Sequence, residues 1–230
     1  MQYDLQRELA WIAGVLKEEQ GTPEVRLHDD PLDSIIRVIL SQSTSDVNSG
    51  RAYRSLKARF PAWQDVLEAG IPAIADAIRS GGLANQKSTR IHALLERIHE
   101  ERGGLGLDDL CMWDDERVFQ WLGSFEGIGV KSIAVVLLFA CGRDVCPVDT
   151  HVHRIAKRLG LVRERAGADE TFWKLKEGMP EGEAAVLHIN LIRFGKTRCT
   201  ARAPACNGCP LVTHCRYDQA TGRVRPRGDE

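Results

Sequence analysis

A chain of 230 residues, 43% apolar and 27% charged, can bury a sizeable core as one large domain or two small ones, and its composition is not that of a disordered segment. The formal net charge of −1 gives no global electrostatic case for a nucleic-acid partner, so any such case must come from local clustering. The opening MQYDLQRELAWIAG has no basic leader or continuous apolar core, and the longest apolar run, Ile133 to Cys141, is too short for a bilayer. A soluble, cytoplasmic chain is therefore expected, with its seven cysteines read as ligands or free thiols before disulfides.

Leu5, Leu9, Ile12 and Leu16 recur at helical spacing, with Asp4 as cap and Gly21-Thr22-Pro23 as stop. Asp30-Pro31 pairs an N-cap with proline at the first helical position and opens LDSIIRVILSQ, apolar on most faces and so expected to be central. Ser45-Asp46 starts a helix that runs to Phe60 before Pro61. A short helix from Trp63 should close at Gly70, Pro72 should begin the next, and Gly81-Gly82 should break it. From Gln86 the pattern Ile91, Leu94, Leu95, Ile98 marks an amphipathic helix ended by Gly103-Gly104, and Asp114-Asp115 caps another ending at Leu122. Helices are further expected over Ser132–Ala140, from Asp149 to Gly160, over Thr171–Glu177 and over Gly182–Phe194. No stretch alternates with period two, so the chain reads as all-α.

The stretch LGSFEGIGVKSIAVVLLFACGRDVCPVDTHVHR, Leu122 to Arg154, carries the chemistry. Gly127-Ile128-Gly129 reads as a tight turn feeding a helix start, where backbone N–H groups lack intrahelical partners and can seat a phosphate oxygen. The helix behind it is almost wholly apolar and holds Lys131 on its first turn, where cationic surroundings and partial desolvation would lower the amine's pKa and favour nucleophilic attack. Each piece has a plain alternative: a Gly-x-Gly turn is more often only a turn, a lone lysine is usually solvated, and Asp149-Thr150 is an ordinary N-cap pattern.

A second signal lies in Cys199-TARAPA-Cys206-NG-Cys209-PLVTH-Cys215, four thiols within seventeen residues. Zinc and an iron–sulfur cluster both suit four thiolates, and spacing alone leaves the choice open. Cys111, Cys141 and Cys146 fall outside this pattern and are expected to be ordinary thiols, Cys141 buried at the end of its helix. Around the cysteines Arg193, Lys196, Arg198, Arg202, Arg216, Arg223, Arg225 and Arg227 outnumber the acids.

These two motifs, in this order, resemble the endonuclease III family of the helix-hairpin-helix (HhH-GPD) DNA glycosylase superfamily. There a hairpin Leu-x-Gly-[Val/Ile]-Gly-x-Lys is followed by Val-Asp-Thr-His, here Val148-Asp149-Thr150-His151, and then by Cys-x6-Cys-x2-Cys-x5-Cys. The resemblance runs from about residue 5 to Tyr217 and implies a two-domain fold. A six-helix barrel would cover residues 25–141, and an iron–sulfur cluster domain would combine 1–24 with 142–230. It assigns Lys131 and Asp149 as catalytic, Cys199, Cys206, Cys209 and Cys215 as ligands of a [4Fe–4S] cluster, and the amides at Gly127, Gly129 and Val130 as a phosphate seat, with a monovalent cation at the same hairpin.

LSQSTSD, Leu40 to Asp46, resembles the family's first minor-groove loop, with Ser43 at the position of the gap-filling glutamine and Gln42 one place early. Gly82-Leu83-Ala84-Asn85-Gln86-Lys87 resembles the second wedge loop, with Leu83 as the intercalating side chain. Arg198 and Arg202 would face the phosphate backbone from the ligated loop. The departures are Ser43, Ala84 for an aromatic, Gly123 for a glutamate and Glu126 for a proline; a solvated Glu126 should weaken DNA affinity by less than about 1 kcal/mol.

The implied activity is a bifunctional DNA glycosylase and abasic-site lyase acting, as a monomer, on double-stranded DNA with oxidised pyrimidines or abasic sites. One rival is a monofunctional adenine or mismatch glycosylase, whose members generally lack the hairpin lysine. The other is a cluster-carrying, DNA-damage-binding protein with little activity, against which Lys131 and Asp149 both argue.

Overall fold

The computed structural model describes residues 4–25, 27 and 30–225, so Arg227 lies outside the described residues. Among those described, ten α-helices and one two-stranded ribbon form, which bears out the all-α reading. Backbone packing separates two compact units, Met1–Leu27 with Gly142–Glu230, and His28–Cys141. In chain order the elements are α1 (Leu5–Gln20), then α2 (Pro31–Ser41), α3 (Asp46–Arg59), α4 (Trp63–Ala77), α5 (Ala84–Arg102), α6 (Asp115–Gly123) and α7 (Val130–Phe139). They continue with α8 (Thr150–Arg158), α9 (Ala168–Glu177), α10 (Ala184–Thr197) and the strands β1 (Tyr217–Asp218) and β2 (Arg223–Val224).

In the His28–Cys141 unit the Asp30 carboxylate accepts from Leu32 N at 2.8 Å and Pro31 presets the first turn of α2. That helix buries Leu32, Ile35, Ile36, Ile39 and Leu40 and packs on α3, α5 and α7, so it is the centre of its unit. The break expected at Gly70 is present. At Gly70 (φ 74°) α4 kinks and then resumes to Ala77, because Pro72 sits where a first-turn residue needs no N–H donor.

A difference concerns two cysteines expected to be free thiols. Cys111 and Cys141 are joined as a disulfide, with Cα atoms 5.0 Å apart, and tie the 3-10 segment Asp108–Met112 to the end of α7. Cys141 is accordingly half-buried rather than enclosed. Cys146, by contrast, is a buried thiol as expected; desolvation, with Asp149 and Asp144 nearby, pushes its pKa up and leaves it unreactive.

In the other unit α10 packs on both α1 and α8. Gly195 lets α10 approach α8 closely, since a Cβ there would lie 2.7 Å from that of His151. Trp11 of α1 stacks on His214 at 3.7 Å between centroids, and the same ring's Nδ1 lies 2.8 Å from Glu8, so the first helix grips the loop between Cys209 and Cys215. No strand is expected from the sequence, yet Tyr217 pairs with Val224 and Asp218 with Arg223. Asp218 Oδ1 accepts from Ala220 N and closes the turn locally, and two residues per strand are too few to show alternation. No helix among the described residues is long and apolar enough to cross a membrane.

Candidate functional site

Two loops in the His28–Cys141 unit hold the backbone in a conformation that costs free energy. Ser43 (φ 53°) and Leu83 (φ 49°) are the non-glycine residues with positive φ among the described residues, and they fall in the two segments singled out as DNA wedges. A β-carbon in the left-handed region costs about 1–2 kcal/mol and persists only where surroundings impose it, commonly at functional sites. Both side chains face solvent, and Leu83 is 53% exposed, an apolar tip with nothing over it. Gln42 points elsewhere: its Nε2 donates to the carbonyl of Gly127 at 2.8 Å and its Oε1 accepts from Arg90 at 3.3 Å. It therefore braces the hairpin in this structure, while Ser43 occupies the exposed place.

The hairpin joins α6 to α7. Ile128 N donates to the Phe125 carbonyl at 3.2 Å, and Gly127 takes φ 80° with the Arg90 guanidinium so near that an added Cβ would lie 3.0 Å away. Arg97 donates to the Ser124 carbonyl at 3.2 Å and lies over the Phe125 ring. Arg90 and Arg97, neither singled out from the sequence, thus buttress the turn from α5; with Ile39, Leu94, Phe125 and Ile128 they line a cavity of about 360 Å³. Glu126 is 84% exposed and 3.4 Å from Arg90, so its charge is partly answered and otherwise solvated.

Gly129 is the N-cap of α7, whose first amides, those of Val130 and Lys131 included, have no acceptor within the helix. With Ser132, Ile133, Ala134, Val136, Leu137 and Leu138 buried, α7 is anchored firmly and carries half-buried Lys131 on its first turn. Asp149 belongs to the other unit, where it caps α8: one carboxylate oxygen accepts from His151 N at 2.9 Å and Val152 N at 2.8 Å. That leaves its second oxygen outside the cap and the charge fixed in direction.

The four thiols of Cys199, Cys206, Cys209 and Cys215 line one cavity of about 30 Å³, walled by apolar residues such as Ile155, Phe194 and Leu211. Successive tight turns build the loop: Cys209 N donates to the Cys206 carbonyl and Val212 N to that of Cys209, both at 3.1 Å. Burial pushes the Cys209 and Cys215 thiols up, and the neighbouring thiols add to that, as expected where four acidic sulfurs crowd together. Among the described residues no three metal-ligating side chains stand as a closed metal site, yet the donor set and its shared cavity fit a group that takes four thiolates.

Two arginines of α8 hold this loop. Arg158 is buried; it donates to Cys199 Sγ at 3.2 Å and to the carbonyls of Thr200 (2.7 Å) and Ala201 (3.0 Å), with Tyr217 under its guanidinium. Arg154 donates to the carbonyls of Gly195 and Cys199. Arg198 also works inside the loop, donating to Gly208 O at 3.0 Å and meeting Glu19 at 3.5 Å. Arg202, Arg193, Lys196 and Arg223 are exposed. Replacing Arg158 with methionine strands three acceptors and should lower stability by about 2–4 kcal/mol, seen as an earlier urea transition and faster proteolysis within residues 199–216.

Residues 36–181 match the HhH-GPD superfamily base excision DNA repair protein family, which sets the class. The chain is 32% identical over 193 residues to endonuclease III of Bacillus subtilis, covering 84% of each chain. A protein of Arabidopsis thaliana provisionally named a DNA glycosylase is 40% identical over 190 residues; the match takes in 79% of this chain but spans 65% of that relative's length. Among solved structures, a trapped endonuclease III–DNA covalent intermediate superposes with a TM-score of 0.77 at 25% identity, covering 95% of this chain and 99% of that one. The chain belongs to the endonuclease III family of DNA glycosylases within the HhH-GPD superfamily.

Proposed function

We propose that the chain is a bifunctional DNA glycosylase and abasic-site lyase of base excision repair, acting in the cytoplasm on double-stranded DNA with oxidised pyrimidines or abasic sites. The observation that carries this reading is Lys131, presented on the first turn of an anchored helix directly after a Gly-x-Gly turn to which Gln42, next to the strained Ser43, is hydrogen-bonded. A relative trapped in covalent linkage to DNA supports it, because such a linkage needs a protein nucleophile. On this reading Ser43 and Leu83 enter the stack as a damaged nucleotide turns out, at a cost lowered by the lesion's poor pairing. Amides at Gly127, Gly129 and Val130 hold a phosphate beside it, together with a monovalent cation.

The Lys131 amine then attacks C1′ while the C1′–N bond breaks and its electron pair leaves with the base, which picks up a proton. Asp149 stabilises the positive charge that develops on the sugar. Loss of a proton from the amine and opening of the sugar give a Schiff base. Removal of a C2′ proton then expels the 3′ phosphate and cuts the strand. The four thiols hold a [4Fe–4S] cluster, which when bound cross-links a loop too polar to fold on apolar contacts. Arg202 and its exposed basic neighbours face the phosphate backbone from the same unit, while Arg198 stiffens the loop they stand on.

Borohydride trapping on a duplex with a single abasic site tests the reading. A covalent protein–DNA adduct and a nicked strand are expected; base release without an adduct would point to the monofunctional rival, and neither to a binding protein.

A further inference from the structure

The two strained loops are 40 residues apart in sequence and are joined by one buried cation. Lys87, in the first turn of α5, is 1% exposed, and its Nζ donates to the carbonyl of Leu40 at 2.7 Å and to that of Gly81 at 2.9 Å. Leu40 is the next-to-last residue of α2, where a carbonyl has no helical donor, and the Ser43 loop begins directly after it. Gly81 ends the 3-10 turn Arg79–Gly81 that leads into Leu83. A lysine is rarely enclosed this fully, and both acceptors are backbone oxygens rather than carboxylates. Packing alone would be served by an apolar side chain of the same length, whereas an ammonium can satisfy two converging carbonyls at once.

We propose that Lys87 is a positioning residue that locks the two strained loops to each other, so that Ser43 and Leu83 enter the DNA stack as one wedge. It does not touch the reacting atoms; it sets the spacing of the tips that displace a base. This rests on the DNA glycosylase reading above. The consequence is specific: losing the lock should spare affinity that comes from phosphate contacts and lose the preference for sites where a base must be displaced.

The test compares full-length protein with Lys87→Met, which keeps most of the side chain's length without its donors. Binding is measured to an intact duplex, to one carrying a tetrahydrofuran abasic analogue opposite 2-aminopurine, and to one whose analogue lies in an unpaired bulge. Wild type should prefer the analogue over intact duplex and raise 2-aminopurine fluorescence as the opposite base unstacks. K87M should bind intact duplex within about threefold of wild type, lose about tenfold of the preference, and regain it on the bulge, where no wedge is needed. An equal loss on all three duplexes means a merely structural lysine and overturns the proposal, as does an unchanged fluorescence rise. A wild type without preference would sink the glycosylase reading instead. Should K87M not fold, Lys87→Gln, which is neutral and whose donor nitrogen is one atom nearer the backbone, should lose at least threefold of the preference; equality with wild type overturns the lock.

Discussion

Lys131→Gln should slow strand cleavage at an abasic site by at least about 10³-fold, equivalent to about 4 kcal/mol of barrier. Fold and duplex affinity should stay close to wild type. Gln and Lys have nearly equal helix propensity, and position 131 lies on the first turn of a helix whose stability comes from Ile133, Val136 and Leu137 on its buried face. The unfolding free energy should therefore fall by no more than about 1 kcal/mol. What disappears is the amine, and a carboxamide cannot form a Schiff base. Base release and strand cleavage are to be measured separately under single-turnover conditions, with alkali revealing sites that lost only the base. Retention of base release with loss of cleavage would make water the nucleophile and Lys131 a lyase residue alone. Retention of both would remove it from the chemistry.

Much of the fold is readable from residues because it is set locally. Asp4, Asp30, Ser45, Asp114 and Asp149 each accept from first-turn amides, and a cap is a contact between residues two or three apart. The same holds for the left-handed stop at Gly103, where only glycine is at ease. Gly70 is legible for a related reason: its positive φ interrupts the helix, and Pro72 suits the first turn of the segment that follows.

The supports of the site are legible only in three dimensions. Lys87 closes the Gly82–Lys87 motif, but its role emerges only when Leu40, 47 positions upstream, is brought to it. Arg158 reads as a basic residue at the end of an amphipathic helix, yet its acceptors lie 41–43 positions downstream. Cys111 and Cys141 carry no pairing signal across 30 residues. Ser43 and Leu83 go further, since local preference argues against left-handed backbone at either residue, and the conformation exists because packing elsewhere imposes it. The residues proposed to do chemistry or hold ligands carry recognisable types and spacings, whereas Lys87 and Arg158 are ordinary cations made unusual by burial.

Asp149→Asn separates two jobs of one side chain. Asp149 Oδ1 accepts from His151 N and Val152 N and so starts α8, whose Arg154 and Arg158 hold the cysteine loop. Asparagine caps about as well as aspartate, and the lost charge at a helix N-terminus costs about 0.3–1 kcal/mol. The helix, and the loop behind it, should therefore remain. The proposed electrostatic role cannot survive the change, because a neutral amide gives little to a sugar becoming positive. Cleavage should fall about 10²- to 10³-fold, the scale on which preorganised groups act. Asp149→Ala should match it in rate yet lose a further ~1 kcal/mol of stability with the cap, read by urea unfolding. If the asparagine variant cleaves at the wild-type rate, Asp149 is a cap and nothing more, and the positive charge must be met by some other group.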